Sequence, residues 1–379
     1  MLAFLLLALA APAQPIQDPI KFPPGTTLIR EMQLTSVDTG EKLMLLQARS
    51  EKLDPPKRSP LNGWVFEHVT AGFARDRTDE SFNLRFRVFN QYRPDKNDPT
   101  DYVARMMLRL WDFNRQRLNR DHSDFIHLRA VDVYLVAFGG SGAEQQFMED
   151  PFELDENDRP ARANNIYIYS VSNLDDPLEF ARELAHEYGH ATLPGIGGYS
   201  EPEDWANGDL GERVYMTWLL QAMKAGKLRP ADVMHATMDQ MQGYYDKTVL
   251  PDLKRVGTKG PSLATLARRD KSGYRELLGL ASYCAAMMPH KMFGRAVALT
   301  ASPDAEGFLK GVVEAAAERA EWKVTVPMGL PKNGQIWVPM AKGKVVGAKE
   351  LQRRGDWVKI QITTDSVTVV NETPAVGPS

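Results

Sequence analysis

Cysteine is nearly absent from this sequence, since Cys284 is the only one among 379 residues. A single cysteine cannot form a disulfide within the chain, so the fold must depend on its own apolar core. The neighbours of Cys284 in "LLGLASYCAAMMP" are apolar and typical of a helix, which predicts a buried side chain. No histidine motif accompanies this residue, and we expect no catalytic thiol there.

The sequence also lacks an excess of charge of either sign. Its 46 Lys and Arg residues are balanced by 49 Asp and Glu residues, which leaves a net charge of −3 without any polybasic block. A nucleic-acid partner is therefore not expected. Beyond the first residues no apolar run is long enough for a membrane helix, so we also expect no membrane span.

A short apolar run opens the chain, in "MLAFLLLALAAPAQ". Leu2 to Ala11 lead into the small-x-small site Ala11-Pro12-Ala13, a pattern typical of a secretory signal peptide cleaved after Ala13. The run is too short to span a bilayer, although no Lys or Arg precedes it as in most such signals. We therefore expect an exported protein, secreted or periplasmic, with residues 1–13 removed.

The spacing of apolar residues predicts an α+β fold. Residues 14–95 are β-rich, with two strands around the turn Asp38-Thr39-Gly40 and a third strand in "SFNLRFRVFNQY". A helix is expected over 98–119, and strands over 127–138 and 164–171. The acidic segment 139–163 between these two strands is predicted to be a loop.

The second half of the sequence is predicted to be mainly helical as far as residue 321. Helices are expected near 209–225, 230–247, 273–288 and 303–320. From residue 322 short β-type runs predict a small all-β module over 322–371, loosely similar to SH3-type barrels. We expect a catalytic domain over 96–321, and the terminal module is a candidate for binding cell wall or peptide.

The segment "ARELAHEYGHATLPG" carries the pattern H-E-x-x-H, formed by His186, Glu187 and His190. Asp176-Pro177 predicts the start of a helix, with Asp176 as the N-cap residue. The two histidines would then lie one turn apart on the same side, where two imidazoles can bind one Zn²⁺ at about 2.0–2.1 Å. Glu187 is suited to act as general base towards a metal-activated water.

In these residues the sequence resembles the zincin metallopeptidases. The resemblance implies a mixed sheet with an active-site helix, followed by a mainly helical lobe. It also implies an edge strand ahead of the H-E-x-x-H helix that binds the substrate backbone by strand addition. The strand "NNIYIYSV" (164–171) is in the right place for that role.

The H-E-x-x-H pattern does not include the third zinc ligand. Leu193 and Ile196 stand where the metzincin pattern requires glycine and a further ligand, so the resemblance is to the gluzincin type, with a carboxylate from a later helix. Glu212 is favoured because it lies 22 residues after His190 in a predicted helix. The alternatives in the same region are Glu201, Glu203, Asp204 and Asp209. A competing interpretation makes Asp209 and Glu212 a helix capping box.

The resemblance therefore implies zinc-dependent hydrolysis of peptide bonds in a peptide or protein substrate. Zinc would be bound by His186, His190 and Glu212, with Glu187 as general base. Two other functions stay open at this point: an exported, non-catalytic binding protein with a degenerate zincin-like domain, and a zinc hydrolase with a non-peptide substrate. Six residues are candidates for a donor to the oxyanion: Tyr215, His235, Tyr244, Tyr245, Tyr283 and His290.

Overall fold

The structure of the chain is a computed structural model. It describes residues 27–49, 53, 55–75, 82–91, 99–121, 130–140, 142–155, 157–171, 176–300 and 302–372. The expected signal peptide (1–13) lies outside the described residues. The chain is a mixed α/β protein with several sheets and a helical lobe. Among the helices of the described residues, none combines the length and apolar character that a bilayer span requires.

A seven-stranded mixed sheet forms the first half of the fold. Its strands follow the order β1-β2-β5-β6-β7-β9-β8, with β6, β7 and β9 parallel and the other pairs antiparallel. Of the three parallel strands, β7 is buried throughout, and β9 is buried from Asn164 to Ile168. The strand bounds are β1 (Thr27–Thr35), β2 (Lys42–Arg49), β5 (His68–Arg75), β6 (Phe82–Asn90), β7 (Val131–Leu135), β8 (Ala143–Leu154) and β9 (Pro160–Ile168). A short hairpin, β3 (Lys57–Arg58) with β4 (Val65–Phe66), lies outside this sheet.

The segment 139–163 is not a loop, and that prediction was wrong. It contains β8 and the start of β9, which pair as an antiparallel hairpin. The predicted strand "NNIYIYSV" is therefore an inner strand between β7 and β8, and β8 takes the edge position among the described strands. β8 was missed because its sequence "AEQQFMEDPFEL" is mostly polar and its side chains are mostly partly exposed, so it shows no clear apolar alternation.

Two helices cross the sheet on one face. Helix α1 (Thr100–Phe113) continues into a π-helical turn at Asn114–Leu118, and α2 (Pro177–Thr192) carries the H-E-x-x-H residues. Helix α3 (Asn207–Lys224) packs directly on α2. The two backbones are so close that a Cβ added at Gly189 would lie 2.5 Å from the Asn207 carbonyl oxygen. This backbone-to-backbone contact needs glycine and brings the first turn of α3 against the two histidines.

The remaining helices form the lobe that the sequence predicts, with three additions. The segment 230–247 holds a 3-10 turn at Pro230–Asp232 and a shorter helix, which ends in a π-helical turn at Tyr245–Val249. The helices at Leu250–Lys259, Leu263–Leu266 and His290–Ala298 were not predicted. The helix bounds are α4 (Met238–Tyr244), α5 (Leu250–Lys259), α6 (Leu263–Leu266), α7 (Lys271–Met287), α8 (His290–Ala298) and α9 (Ala305–Ala317). Cys284 is fully buried in α7, as its neighbours indicated.

Residues 321–371 form two three-stranded sheets, β10-β15-β12 and β11-β14-β13. Their apolar side chains continue the core of the helical lobe, and the Tyr283 hydroxyl of α7 donates to the Trp337 carbonyl oxygen at 2.6 Å. The likeness to SH3-type barrels and the domain boundaries stay predictions. The strand bounds are β10 (Glu321–Val324), β11 (Gln335–Pro339), β12 (Gly343–Val346), β13 (Ala348–Arg354), β14 (Trp357–Ile362) and β15 (Val367–Asn371).

Candidate metal centre

Helix α2 presents the two histidines as its sequence predicts. Asp176 is the N-cap residue and accepts a hydrogen bond from the Leu178 backbone N–H at 2.9 Å. The Nε2 atoms of His186 and His190 are 3.1 Å apart. Two nitrogens bound to one tetrahedral Zn²⁺ at about 2.0–2.1 Å would lie about 3.3 Å apart, so the observed spacing suits a shared ion.

Glu203 brings a carboxylate to the same point. Its Oε1 lies 3.1 Å from Nε2 of His186, and its Oε2 lies 3.7 Å from Nε2 of His190. Oε2 is buried and has no hydrogen-bond partner among the described residues. One carboxylate therefore faces both ring nitrogens, and His186, His190 and Glu203 form a group with the geometry of a metal site.

Glu212, the favoured third ligand, occupies a different position. Its Oε2 lies 3.6 Å from Nδ1 of His186, on the other edge of the ring, and Asp209 Oδ1 lies 3.4 Å from the same nitrogen. An ion shared by both Nε2 atoms is therefore within reach of Glu203 and not of Glu212. Glu212 belongs with His186 and Asp209 to a second group that could hold a metal ion, so the two candidate third ligands face different nitrogens of the His186 ring.

The capping-box interpretation of Asp209 and Glu212 does not hold. Helix α3 begins at Asn207, and its N-cap residue is Ala206 without a side-chain cap. Both carboxylates lie inside the helix and face Nδ1 of His186. They are placed to fix the tautomer and orientation of that ring, as outer carboxylates do for metal-binding histidines.

His190 is oriented by a residue that the sequence reasoning missed. The Asn207 Oδ1 atom lies 3.0 Å from Nδ1 of His190. Asn207 is the first residue of α3, in "EDWANGDLGE", and the turn-favouring Asn-Gly pair was the available signal for a special backbone position there. Each imidazole therefore has a polar partner at Nδ1 and leaves Nε2 facing the other histidine.

Acidic groups dominate the electrostatics around the two rings. Burial lowers the pKa of His186, but the carboxylates of Asp209, Glu203 and Glu212 outweigh it and raise this pKa to about 12. Burial and the charge of His186 lower the pKa of His190. Three carboxylates therefore stabilise positive charge at this point, which a divalent cation would supply in place of a proton.

Glu187 points into the adjoining cleft. Its side chain is only 4% exposed, and its Oε2 atom has no hydrogen-bond partner among the described residues. Burial raises the pKa of Glu187 to about 8, although the charge of His186 opposes the change. A carboxylate held in this way is a strong candidate for a general base.

The cleft has a volume of about 600 Å³ and runs between β8 and α2. Its lining includes Glu187, both histidines and Glu203, together with residues of β8 and of the segment 193–206. The edge strand expected beside the catalytic residues is therefore β8, not 164–171. None of the six residues considered as oxyanion donors lies among the described residues that line this cleft.

Gly208 shows how closely the protein surrounds the two ring nitrogens. A Cβ at this position would lie 2.3 Å from Nε2 of His190 and 2.5 Å from Nε2 of His186. No side chain at residue 208 is compatible with these ring positions. Helix α3 therefore approaches both imidazoles so closely that only glycine fits at residue 208.

Tyr274 of α7, which is far from the two histidines in sequence, contacts the site through Asp209. Its hydroxyl donates to Asp209 Oδ2 at 2.8 Å, and the other carboxylate oxygen of Asp209 faces His186.

We expect Tyr274→Phe to weaken zinc affinity about tenfold, at the lower end of the effect of outer-shell partners. Competition with a chromophoric chelator measures this. Tyr199→Phe, whose ring packs edge-on against Tyr274, is the control and should leave the affinity unchanged; equal losses in both variants would contradict the expectation.

No family model matches the chain, and no curated protein matches it.

Proposed function

We propose that this protein is a zinc-dependent hydrolase that cleaves peptide bonds. The observation that carries the proposal is the convergence of His186 Nε2, His190 Nε2 and the Glu203 carboxylate on one point, with Glu187 beside it in the cleft. Three protein ligands with an accessible fourth side are typical of catalytic rather than structural zinc sites. Export by the N-terminal apolar segment belongs to the same proposal.

The residues of the chain have separate roles in this reaction. His186, His190 and Glu203 would hold the ion, which when bound supplies Lewis acidity to the attacking water and the substrate carbonyl. Glu187 accepts a proton from the attacking water and can return it to the leaving amine. The β8 edge offers backbone N–H and C=O groups to an extended substrate along the cleft. A peptide is favoured over a non-peptide substrate because this strand edge lines the site.

Glu187→Gln tests the role of the general base. We expect the variant to bind zinc as the unchanged protein does and to lose about 10²–10⁴-fold in kcat, the usual contribution of a general base. The measurement is cleavage of a quenched fluorescent peptide library, with zinc content determined in the same preparations. Glu179→Gln is the matched control, because Glu179 lies in the first turn of the same helix and is exposed.

Three results would overturn this proposal. If Glu187→Gln retains full peptidase activity, the carboxylate is not the base. If the zinc-loaded protein cleaves no peptide but hydrolyses ester or other non-peptide substrates in a Glu187-dependent way, the function is that of a non-peptide zinc hydrolase. If the zinc-loaded protein hydrolyses neither peptides nor non-peptide substrates, a non-catalytic binding protein becomes the better explanation.

A further inference from the structure

Trp205 is held in a fixed orientation at the rim of the cleft. A Cβ at Gly197 would lie 2.5 Å from its ring, and a Cβ at Gly195 would lie 2.9 Å from it, so one face of the indole rests on both glycines. Gly197 and Trp205 also form an isolated β-bridge, and the Ala206 N–H donates to the Ile196 carbonyl oxygen at 2.8 Å. The side chain nevertheless stays 48% exposed. Its free face lines the cleft.

A second exposed aromatic ring lies on the strand side of the cleft. Phe147 of β8 is 48% exposed and lines the cleft together with Ala143 and Gln145, its neighbours at alternate positions of the strand. Leu193, at the end of α2, adds a further apolar side chain. Exposed rings that line a cleft are typical of ligand-binding surfaces, because leaving them in water costs free energy without a partner.

The charges of the cleft restrict what these rings can bind. No Lys or Arg is present among its described lining residues, so an acidic substrate side chain would find no counter-charge. The carboxylate of Glu144 is already engaged by the Tyr169 hydroxyl and, at 3.4 Å, by the Gln146 amide. The remaining carboxylates are Glu187 and Glu203, which belong to the proposed reaction centre. A basic side chain would have to compete with the Tyr169 and Gln146 donors for the Glu144 carboxylate.

We propose that Trp205 and Phe147 select substrates with a neutral apolar side chain, aromatic ones best, next to the cleaved bond. This inference depends on the proposed peptidase function and names its substrate class. Trp205 contributes a rigid stacking surface, and Phe147 contributes an apolar contact from the edge strand that binds the substrate backbone. Both act on specificity and neither takes part in the proton transfers.

Blocked pentapeptides that differ only in one central residue test the inference, with Phe, Leu, Ala, Asp or Lys at that position. The zinc-loaded protein should prefer Phe over Ala in kcat/KM by roughly tenfold to hundredfold. Trp205→Ala and Phe147→Ala should each lower kcat/KM for the Phe peptide to nearly the value for the Ala peptide of the same variant, whereas Trp205→Phe should restore part of the preference. Phe152→Ala is the matched control, because Phe152 lies on the same strand with 49% exposure and does not line the cleft.

Gly197→Ala provides a second variant that changes no aromatic residue. Its Cβ displaces the Trp205 ring, so we expect the same loss of preference as in Trp205→Ala. Equal cleavage of all five peptides, or a preference that survives both aromatic substitutions, would overturn the inference. If no peptide is cleaved, calorimetric binding of the same peptides to the zinc-loaded protein separates the two proposals. If the protein binds the Phe peptide preferentially and Trp205→Ala removes that preference, the inference is supported although the peptidase proposal fails. If there is no such binding preference, the inference and the peptidase proposal are both refuted.

Discussion

Zinc affinity should fall far more in Glu203→Gln than in Glu212→Gln. Glu203 faces the Nε2 atoms of both histidines, so its neutral amide removes a direct ligand and one negative charge. Glu212 faces Nδ1 of His186, and its loss should cost about 10–100-fold in affinity, as for other outer-shell partners. For Glu203→Gln we expect a larger loss, with zinc no longer retained through dialysis and peptidase activity abolished.

Competition with a chromophoric chelator distinguishes the two positions. Glu201→Gln is the matched control, since Glu201 is exposed in the same segment and belongs to no group of potential metal ligands among the described residues. All three variants exchange a carboxylate for an amide of the same shape, so they differ only in position. A larger loss in Glu212→Gln than in Glu203→Gln would restore the ligand set that the sequence alone suggested.

Gly208→Ala should abolish zinc binding through a single added methyl group. The methyl would lie within 2.5 Å of both Nε2 atoms, a separation that real Cβ atoms essentially never show, so the imidazoles must move apart. The helix itself tolerates the change, because alanine is favoured over glycine in helices by about 0.8–1.0 kcal/mol. We therefore expect a folded protein with no stoichiometric zinc and no peptidase activity. Zinc content by mass spectrometry and helix content by circular dichroism measure the two effects.

Gly243→Ala is the control for this substitution. Gly243 lies in α4, and nothing lies within 4 Å of the position that its Cβ would take. This variant should keep its zinc and gain about 0.5–1 kcal/mol in the free energy of unfolding. If Gly208→Ala binds one zinc per chain with unchanged affinity, the ion does not sit at the Nε2 atoms, and the proposed centre is wrong.

Local sequence patterns were enough to predict several elements of the fold. The strands around Asp38-Thr39-Gly40, the helix that became α1, and the capped helix α2 follow from apolar periodicity and from end signals within a few residues. Helix α5 was missed although Pro251 lies in its first turn, a position where proline is tolerated. The mostly polar β8 was missed because a strand at a sheet edge does not need an alternating apolar face.

The sequence by itself determined the pairing of His186 with His190 and the place of Glu187, because the helical repeat fixes side chains four residues apart on one face. Which carboxylate comes nearest to both Nε2 atoms depends on the tertiary structure. Glu203 lies in a non-helical segment without any periodicity, and its position depends on the pairing of Gly197 with Trp205 and on the close contact of α2 with α3. These contacts arise from packing between segments and not from local sequence spacing. The sequence alone therefore could not predict that Glu203 lies nearer than Glu212 to the two Nε2 atoms.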